Sequence, residues 1–228
     1  MKTHIISGPP ACTLCVITVQ AVAVIGDREG PGQVYQQSVI RRDARGNFLL
    51  ISNTEPARVQ IFDSVGRFVR SFGRKGLGPG EFQDARFVFF QGDTTRVFDV
   101  VARRLTILTA GGSAVSTLSL PVAPHGVVDV GAGRYVFAVL ESSARNIGLP
   151  LHLYDSGSGR IIRSFGALSE RVAPGAMMSR ARQIGAAGKD AVWSAHVSTY
   201  MIEKWTTSGE LVLQVDRRVS LVRALGAS

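Results

Sequence analysis

The sequence predicts an all-β protein built from about four copies of one unit, because three markers recur with one period. The first marker is a hairpin pattern, in which two alternating strands flank a short polar turn that ends in glycine. The turn glycines are Gly66, Gly112, Gly159 and Gly209, which lie 46, 47 and 50 residues apart. The second marker is a proline, at Pro31, Pro79, Pro124 and Pro174. The third is a short apolar strand before each hairpin, at 48–51, 96–99, 135–138 and 191–194.

This period indicates a β-propeller. A unit of roughly 45 residues forms a small antiparallel sheet that cannot bury both faces alone. Sheets stacked radially cover one another and leave only short edges. Helical periodicity is nearly absent, and we interpret 177–187 as a loop and a strand. The predicted blades span about 26–72, 73–120, 121–166 and 167–216, preceded by a segment at 1–25 and followed by a tail at 217–228.

Composition excludes several classes of protein. The chain has 228 residues, of which 45% are hydrophobic and 19% are charged, so it is not a disordered polyelectrolyte. Cys12 and Cys15 cannot supply a disulfide framework, and no second ligand pair accompanies them for a zinc site. The uncharged run at 11–25 is shorter than the ~20 residues that a membrane span needs. We therefore expect no transmembrane segment.

Residues 1–25 allow two interpretations. The apolar stretch and the Ala21-Val22-Ala23 triplet are typical of a signal peptide, but Pro9-Pro10 interrupts the pattern. The β-branched residues of 15–19 and 22–25 favour a strand instead. We favour the strand.

The segment Ile61-Phe62-Asp63-Ser64-Val65-Gly66-Arg67-Phe68-Val69-Arg70-Ser71-Phe72-Gly73, followed by Gly76-Leu77-Gly78-Pro79-Gly80-Glu81-Phe82, resembles the NHL-type repeat of bacterial six-bladed propellers. The resemblance implies six blades and a periplasmic or extracellular protein, whereas this chain carries about four repeats. Either the propeller is incomplete, or four blades close with the segment 12–25 pairing into the last one. We favour the incomplete propeller, whose open blade edges would allow self-association.

Four polar residues are candidates for a ligand site at the mouth of a propeller channel. They lie at or shortly after the ends of the short apolar strands and are Asn53, Asp99, Glu141 and His196. If they converge, their oxygen and nitrogen atoms could hold a divalent metal, as in lyase-like and lactonase-like propellers. The alternative, which we favour for Asn53 and Asp99, is that these side chains accept hydrogen bonds from nearby backbone.

The net charge of +9 is the other indication of function. Arginines concentrate in the first repeat, and the candidates for a basic face are Arg41, Arg42, Arg45, Arg67, Arg70 and Arg74. A continuous basic face with stacking aromatics would indicate nucleic-acid binding. Aromatic residues are only 7% of the chain, so we disfavour nucleic acid as a partner. The glycine-rich loop at 73–80 has no P-loop context, because another strand follows it.

We therefore predict a non-enzymatic binding or scaffold module that presents loops and a channel mouth to a protein or a small ligand. No cofactor is expected, apart from the divalent metal of the alternative hypothesis, a metal-dependent propeller lyase or lactonase. A second alternative is nucleic-acid binding through an arginine-rich face.

Overall fold

The computed structural model describes residues 2–6, 18–26, 29–34, 38–43, 45–52, 58–140, 148–168 and 177–217. Within these ranges, β-strands form four sheets of at least four strands each, and the one short 3-10 helix is Met177–Ser179. The fold is thus all-β, as predicted. In the described part of the chain, no helix is long and apolar enough to span a bilayer.

Each sheet is one blade of four antiparallel strands in chain order. Blade 1 contains β2 (Ser38–Arg42), β3 (Phe48–Ser52), β4 (Val59–Phe62) and β5 (Phe68–Phe72). Blade 2 contains β6 (Ala85–Gln91), β7 (Thr94–Asp99), β8 (Arg104–Thr109) and β9 (Ala114–Ser119). Blade 3 contains β10 (Gly126–Gly131), β11 (Arg134–Ala138), β12 (Leu151–Asp155) and β13 (Arg160–Phe165). Blade 4 contains β14 (Arg182–Ala186), β15 (Ala191–His196), β16 (Met201–Thr206) and β17 (Leu211–Arg217), and β1 (Lys2–Ile6) is added to its outer edge.

The predicted hairpins join the third and fourth strands of every blade. The four turn glycines have φ angles of 88°, 90°, 69° and 81°, in the left-handed region that glycine enters without strain. Each of these strand pairs also contains a register shift next to the turn, which is typical of a hairpin with a bulge. Before each turn, a side-chain oxygen accepts a hydrogen bond from a backbone N–H group of the same hairpin. The four acceptor residues are Asp63, Thr109, Asp155 and Thr206.

Two of the turn glycines also allow neighbouring blades to approach closely. A Cβ atom on Gly112 would lie 2.7 Å from the Cβ atom of Phe72, and one on Gly209 would lie 3.2 Å from that of Phe165. These phenylalanines end the last strand of the preceding blade. The repeated phenylalanine and the repeated glycine are therefore two sides of one contact between blades.

The chain divides into two compact units, each with two blades. Residues 17–123 form the unit of blades 1 and 2, and residues 1–16 and 124–228 form the unit of blades 3 and 4. Apolar side chains from facing sheets make the core of each unit. In the first unit they include Leu49, Ile61 and Val97, and in the second Val136, Leu153 and Trp205.

The strands at the amino-terminal side differ from the prediction in two ways. Residues 22–25, predicted as a strand, form none; Val24 instead packs its carbonyl against Gly66, and residues 11–17 lie outside the described part of the chain. The strand that joins the last blade is β1, which runs parallel to β17 with Lys2 opposite Leu213. Of the strands that open the blades, β2 and β10 were not predicted, whereas β6 and β14 match the strands expected after the loop at 73–80 and within 177–187. The segment 191–196 containing His196 is the second strand of blade 4.

Candidate functional site

The structure separates the six arginines proposed for a basic face into two groups. Arg67 and Arg74 form salt bridges, with Arg67 Nε 2.8 Å from Asp63 Oδ2 and Arg74 Nη2 2.6 Å from Glu81 Oε1. Backbone N–H donors lower the pKa of both carboxyl groups, and the arginine side chains lower it further. The other four arginines line one cleft in the unit of blades 1 and 2: Arg41, Arg42, Arg45 and Arg70.

We call this opening the arginine cleft. Its volume is about 550 Å³. Its lining comes from β2 and the turn after it, from β4 and β5, from β6, β7 and the turn between them, and from Ala110 after β8. The polar part of the lining includes Asn47 and Thr95 besides the arginines, and the apolar part is Ile61, Phe89 and Phe90. Charged and apolar walls thus face the same space.

Backbone and aromatic contacts hold the arginines in place. Arg42 Nε donates to the carbonyl oxygen of Gly46 at 3.2 Å, and its guanidinium lies over the Phe48 ring, 5.3 Å from the ring centre. Arg70 Nη2 donates to the carbonyl oxygen of Ala110. A guanidinium has five N–H donors, so each of these groups keeps donors for a further partner.

Arg41 is the arginine whose surroundings are least favourable to its charge. It is partly buried, and burial lowers its pKa. Its guanidinium lies over the Phe89 ring, 5.6 Å from the ring centre. Among the described residues, no carboxylate oxygen lies within 4 Å of Arg41 or of the other three arginines of the cleft. The cleft therefore holds positive charge that the described part of the protein does not neutralise by direct pairing.

The two aspartates of the lining leave this charge in excess. Asp43 is committed to its own turn, because its Oδ1 accepts the backbone N–H groups of Arg45 and Asn47 and its Oδ2 accepts the Asn47 amide. Asp93 lies in the turn between β6 and β7. Four arginines against two aspartates give the lining a formal net charge of +2.

Asp99, a candidate for the channel mouth, is fully buried at the end of β7. Its carboxylate accepts backbone N–H groups from Gln83 at 2.7 Å, Asp84 at 3.0 Å and Ala102 at 3.0 Å. Arg104 Nη2 lies 3.7 Å from the same carboxylate. This is the backbone-binding role that the sequence analysis favoured over a metal-binding role for Asp99.

His196, the candidate of the last repeat, belongs to a buried charged cluster inside blade 4. Its Nε2 lies 3.2 Å from Oε2 of Glu203, and both side chains are at most 3% exposed. The Trp205 indole N–H donates to the same carboxylate oxygen at 2.9 Å. Arg182, opposite His196 in the strand register, donates to the carbonyl oxygens of Ser179, Ala181 and Ala167.

The predicted convergence of four polar side chains stays a prediction. Asn53 and Glu141 lie outside the described residues, and Asp99 and His196 belong to different compact units. Within the described ranges, no group of three or more His, Cys, Asp or Glu side chains is placed to hold a metal ion.

Sequence reasoning identified the arginines but not the cleft. Phe89 and Phe90 lie on β6, a strand that the repeat markers did not include. The available signal was the run Phe87-Val88-Phe89-Phe90. Because successive side chains of a strand point to opposite faces, such a run places bulky apolar side chains on both faces of the sheet. In blade 4, the sequence could have indicated the buried cluster around His196, because Glu203 and Trp205 lie two residues apart and therefore on the same face of β16.

Solved structures resemble this chain in fold. A candidate exported protein from Bacteroides fragilis has a TM-score of 0.66 and 18% identity, over 87% of this chain and 57% of its own. A member of the DUF4221 family from Bacteroides vulgatus has a TM-score of 0.58 and 8% identity, over 83% and 60%. Virginiamycin B lyase from Staphylococcus aureus has a TM-score of 0.51 and 15% identity, over 81% and 71%. At these identities the likeness concerns the fold alone, and this chain spans 57% of the length of the first of these proteins.

No curated protein matches the sequence. The model of one family does match, over residues 39–194, which is more than half of the chain. The propeller part of the predicted resemblance is therefore confirmed, while its NHL-type character stays a prediction. The chain belongs to the family DUF5128, described as a 6-bladed β-propeller.

Proposed function

We propose that this protein is a non-enzymatic binding module whose ligand is a small anionic molecule bound in the arginine cleft. The observation that carries the proposal is the excess of positive charge around this opening of about 550 Å³. Arg41 regains part of its lost solvation from the protein, since its Nη1 donates to the carbonyl oxygen of Ile40 at 3.1 Å and its guanidinium lies over the Phe89 ring. Neither contact neutralises its charge, and no carboxylate of the described residues pairs with it. An anionic ligand supplies the missing partner, and guanidinium groups bind carboxylate and phosphate oxygens in pairs.

The size of the cleft favours a small ligand over a nucleic acid. Its volume lies in the range of about 300–1,000 Å³ that is usual for small-molecule pockets. A nucleic acid would need a continuous stripe of unpaired basic side chains along its phosphates. Arg67 and Arg74 do not contribute to such a stripe, because they pair with Asp63 and Glu81.

Binding is favoured over catalysis by the contacts of the candidate residues. Asp99 holds three backbone N–H groups, and His196 contacts Glu203 in a buried cluster. The arginine cleft supplies charge, hydrogen-bond donors and apolar surface, which are the elements of recognition. The binding proposal needs no cofactor. The metal-dependent lyase or lactonase stays an alternative prediction, which a titration of the full chain with divalent metals would test.

Calorimetric titration of the full chain with inorganic phosphate and with citrate tests the proposal. We expect binding that weakens as salt is added and that falls at least about tenfold in the variant Arg41→Gln/Arg70→Gln. The matched control is Arg67→Gln/Arg74→Gln, which removes the same charge outside the cleft and should bind as the parent does. Equal loss in both variants, or no binding of either anion, would contradict the proposal.

Two further proposals concern location and assembly. The family resemblance and the likeness to a candidate exported protein support a periplasmic or extracellular location, which cell fractionation of the source bacterium would test. Self-association through blade edges would appear in light scattering as a mass above that of one chain.

A further inference from the structure

The walls of the arginine cleft are not uniformly charged. Ile61 and Thr95 are buried beneath it, and Phe89 and Phe90 are partly exposed to it. Phe89 packs edge-on against Phe98, with 5.9 Å between ring centres and 89° between ring planes, which fixes the ring in blade 2. A site for a bare inorganic anion would gain little from such apolar surface, since the anion prefers hydrated and polar surroundings.

Arg41 joins the charged and the aromatic parts of the cleft. Its guanidinium is planar and lies over the Phe89 ring, and the same side chain lines the opening. A guanidinium that stacks on an aromatic ring can stack on a second flat group while its edge donates to an anion. Lysine cannot combine these contacts, because its charge sits on a compact, strongly hydrated ammonium group.

Two of the other arginines are already oriented for an anion. The backbone carbonyls of Gly46 and Ala110 accept hydrogen bonds from Arg42 and Arg70, so little side-chain freedom remains to be lost on binding. These arginines come from blade 1, while the phenylalanines come from blade 2. A ligand that contacts both walls therefore has an anionic end and an apolar end.

We propose that the arginine cleft recognises small molecules in which a phosphate or carboxylate group is attached to a flat aromatic body. This inference rests on the proposed function and specifies its ligand class. The anionic group is held by the arginines, and the flat body lies against Arg41, Phe89 and Ile61. The recognition is a reversible contact and requires no chemical step.

The test compares three probes by calorimetric titration of the full chain: phenyl phosphate, inorganic phosphate and phenol. We expect phenyl phosphate to bind at least about tenfold more tightly than inorganic phosphate, because aromatic stacking and apolar burial add to the ion pairing. Phenol should bind too weakly to detect. Benzoate in place of phenyl phosphate then shows which anionic group the cleft prefers.

Two variants assign this preference to the cleft. Phe89→Leu removes the ring, and Arg41→Lys keeps the charge but removes the planar guanidinium. In both variants, the ratio of the affinity for phenyl phosphate to the affinity for inorganic phosphate should fall close to one, because the planar contact that distinguishes the two probes is lost. Arg41→Lys does not remove core side chains, so it keeps the test valid if Phe89→Leu folds poorly. The control Arg67→Lys should leave both affinities unchanged.

The outcomes separate this inference from the proposed function. Arginine-dependent binding of inorganic phosphate, with phenyl phosphate no tighter, would overturn the inference and leave the proposed function standing. A preference for phenyl phosphate that survives both variants would place the aromatic contact elsewhere and also overturn the inference. Failure of every anion to bind would overturn both.

Discussion

Two regions of the molecule bury arginine side chains, and they do so in opposite ways. In blade 4, Arg182 is only 1% exposed, donates to three backbone carbonyls and is attracted by the buried carboxylate of Glu203. In the cleft of blades 1 and 2, Arg41 is partly buried over Phe89, and no carboxylate of the described residues pairs with it. Burial lowers the pKa of both arginines, but only for Arg182 does a neighbouring carboxylate offset part of that effect.

This difference separates a structural role from a ligand-binding role. A buried charge that the protein itself satisfies fixes the packing around it. Its removal lowers the free energy of unfolding, because its former partners stay buried without a counter-charge or a hydrogen-bond donor. A buried charge that the protein leaves unsatisfied is a cost to the free protein that a ligand can remove. The comparison can therefore be tested by stability measurements alone, before any ligand is known.

The largest effect is expected for Arg182→Leu. The substitution removes the cation that attracts buried Glu203 and takes one donor from each of three carbonyl groups. Removing one partner of a buried charged arrangement costs about 3–5 kcal/mol. Urea denaturation of parent and variant measures this loss. The double variant Arg182→Leu/Glu203→Leu should recover part of it, since an apolar pair leaves no unpaired charge. A loss below about 1 kcal/mol for the single variant would show that Arg182 is not structural.

A second prediction concerns a buried basic group of the same unit, His152. It is fully buried, its Nδ1 lies 2.7 Å from the Ser164 hydroxyl oxygen, and burial lowers its pKa to about 4 from 6.5. Below pH 6.5 the unfolded chain takes up a proton that the folded chain refuses until about pH 4. Stability therefore falls as the pH drops through this window, by about 3 kcal/mol in total.

Denaturation at pH 7 and pH 4.5 measures this fall, and imidazole proton resonances report the pKa of His152 directly. The variant His152→Gln removes its share of the pH dependence. The share of Asp63, Glu81 and Asp155 remains, because hydrogen bonds lower the pKa of these carboxyls and they act in the same direction at lower pH. A histidine that titrates near pH 6.5 would contradict the prediction.

A smaller effect of opposite sign is expected for Arg41→Gln. Because this substitution removes an unpaired, partly buried charge, we expect the free protein to keep its stability within about 0.5 kcal/mol or to gain slightly. Urea denaturation under the conditions used for Arg182→Leu gives the comparison. A loss of stability comparable to that of Arg182→Leu would mean that Arg41 has a structural role in blades 1 and 2. It would then contradict the distinction between a structural Arg182 and a ligand-binding Arg41.

The smallest effect is expected for Arg67→Gln on the outer hairpin of blade 1. Its side chain is 81% exposed, and exposed ion pairs contribute little because water and salt screen them. We expect no measurable shift of the denaturation midpoint at physiological salt. A clear shift of the midpoint would contradict the prediction and show that the exposed pair of Arg67 with Asp63 contributes measurably to stability.

The sequence predicted those elements that depend on local chemistry. The four hairpins were predicted because a turn with positive φ selects glycine, and β3, β7, β11 and β15 because their apolar runs are short and phased. The strands β2 and β10 were missed, since their composition is mixed, and β6 and β14 were predicted as strands without a place in the repeat. The pairing of β1 with β17 was missed because no local pattern encodes a partner so far along the chain.

For the candidate site, too, the sequence predicted which residues are present but not which contacts they make in the folded chain. The four arginines of the cleft were among the predicted basic residues, because a concentration of arginines is visible in a sequence. Their separation from Arg67 and Arg74 was not predictable, since it depends on which carboxylate each side chain reaches in the folded chain. The burial of His196 against Glu203 likewise results from the register of β15 and β16.

The parallel pairing of β1 with β17 has a consequence for how the protein is made. Lys2 lies opposite Leu213, so the partner of the first strand is synthesised 211 residues later. At the usual translation rates of about 5–20 residues per second, that delay is roughly 10–40 s. During this time an extended segment with the sequence Lys-Thr-His-Ile-Ile has no edge to join. Blades 1, 2 and 3 can fold while it waits, and the last blade acquires its fifth strand only after the ribosome has completed β17.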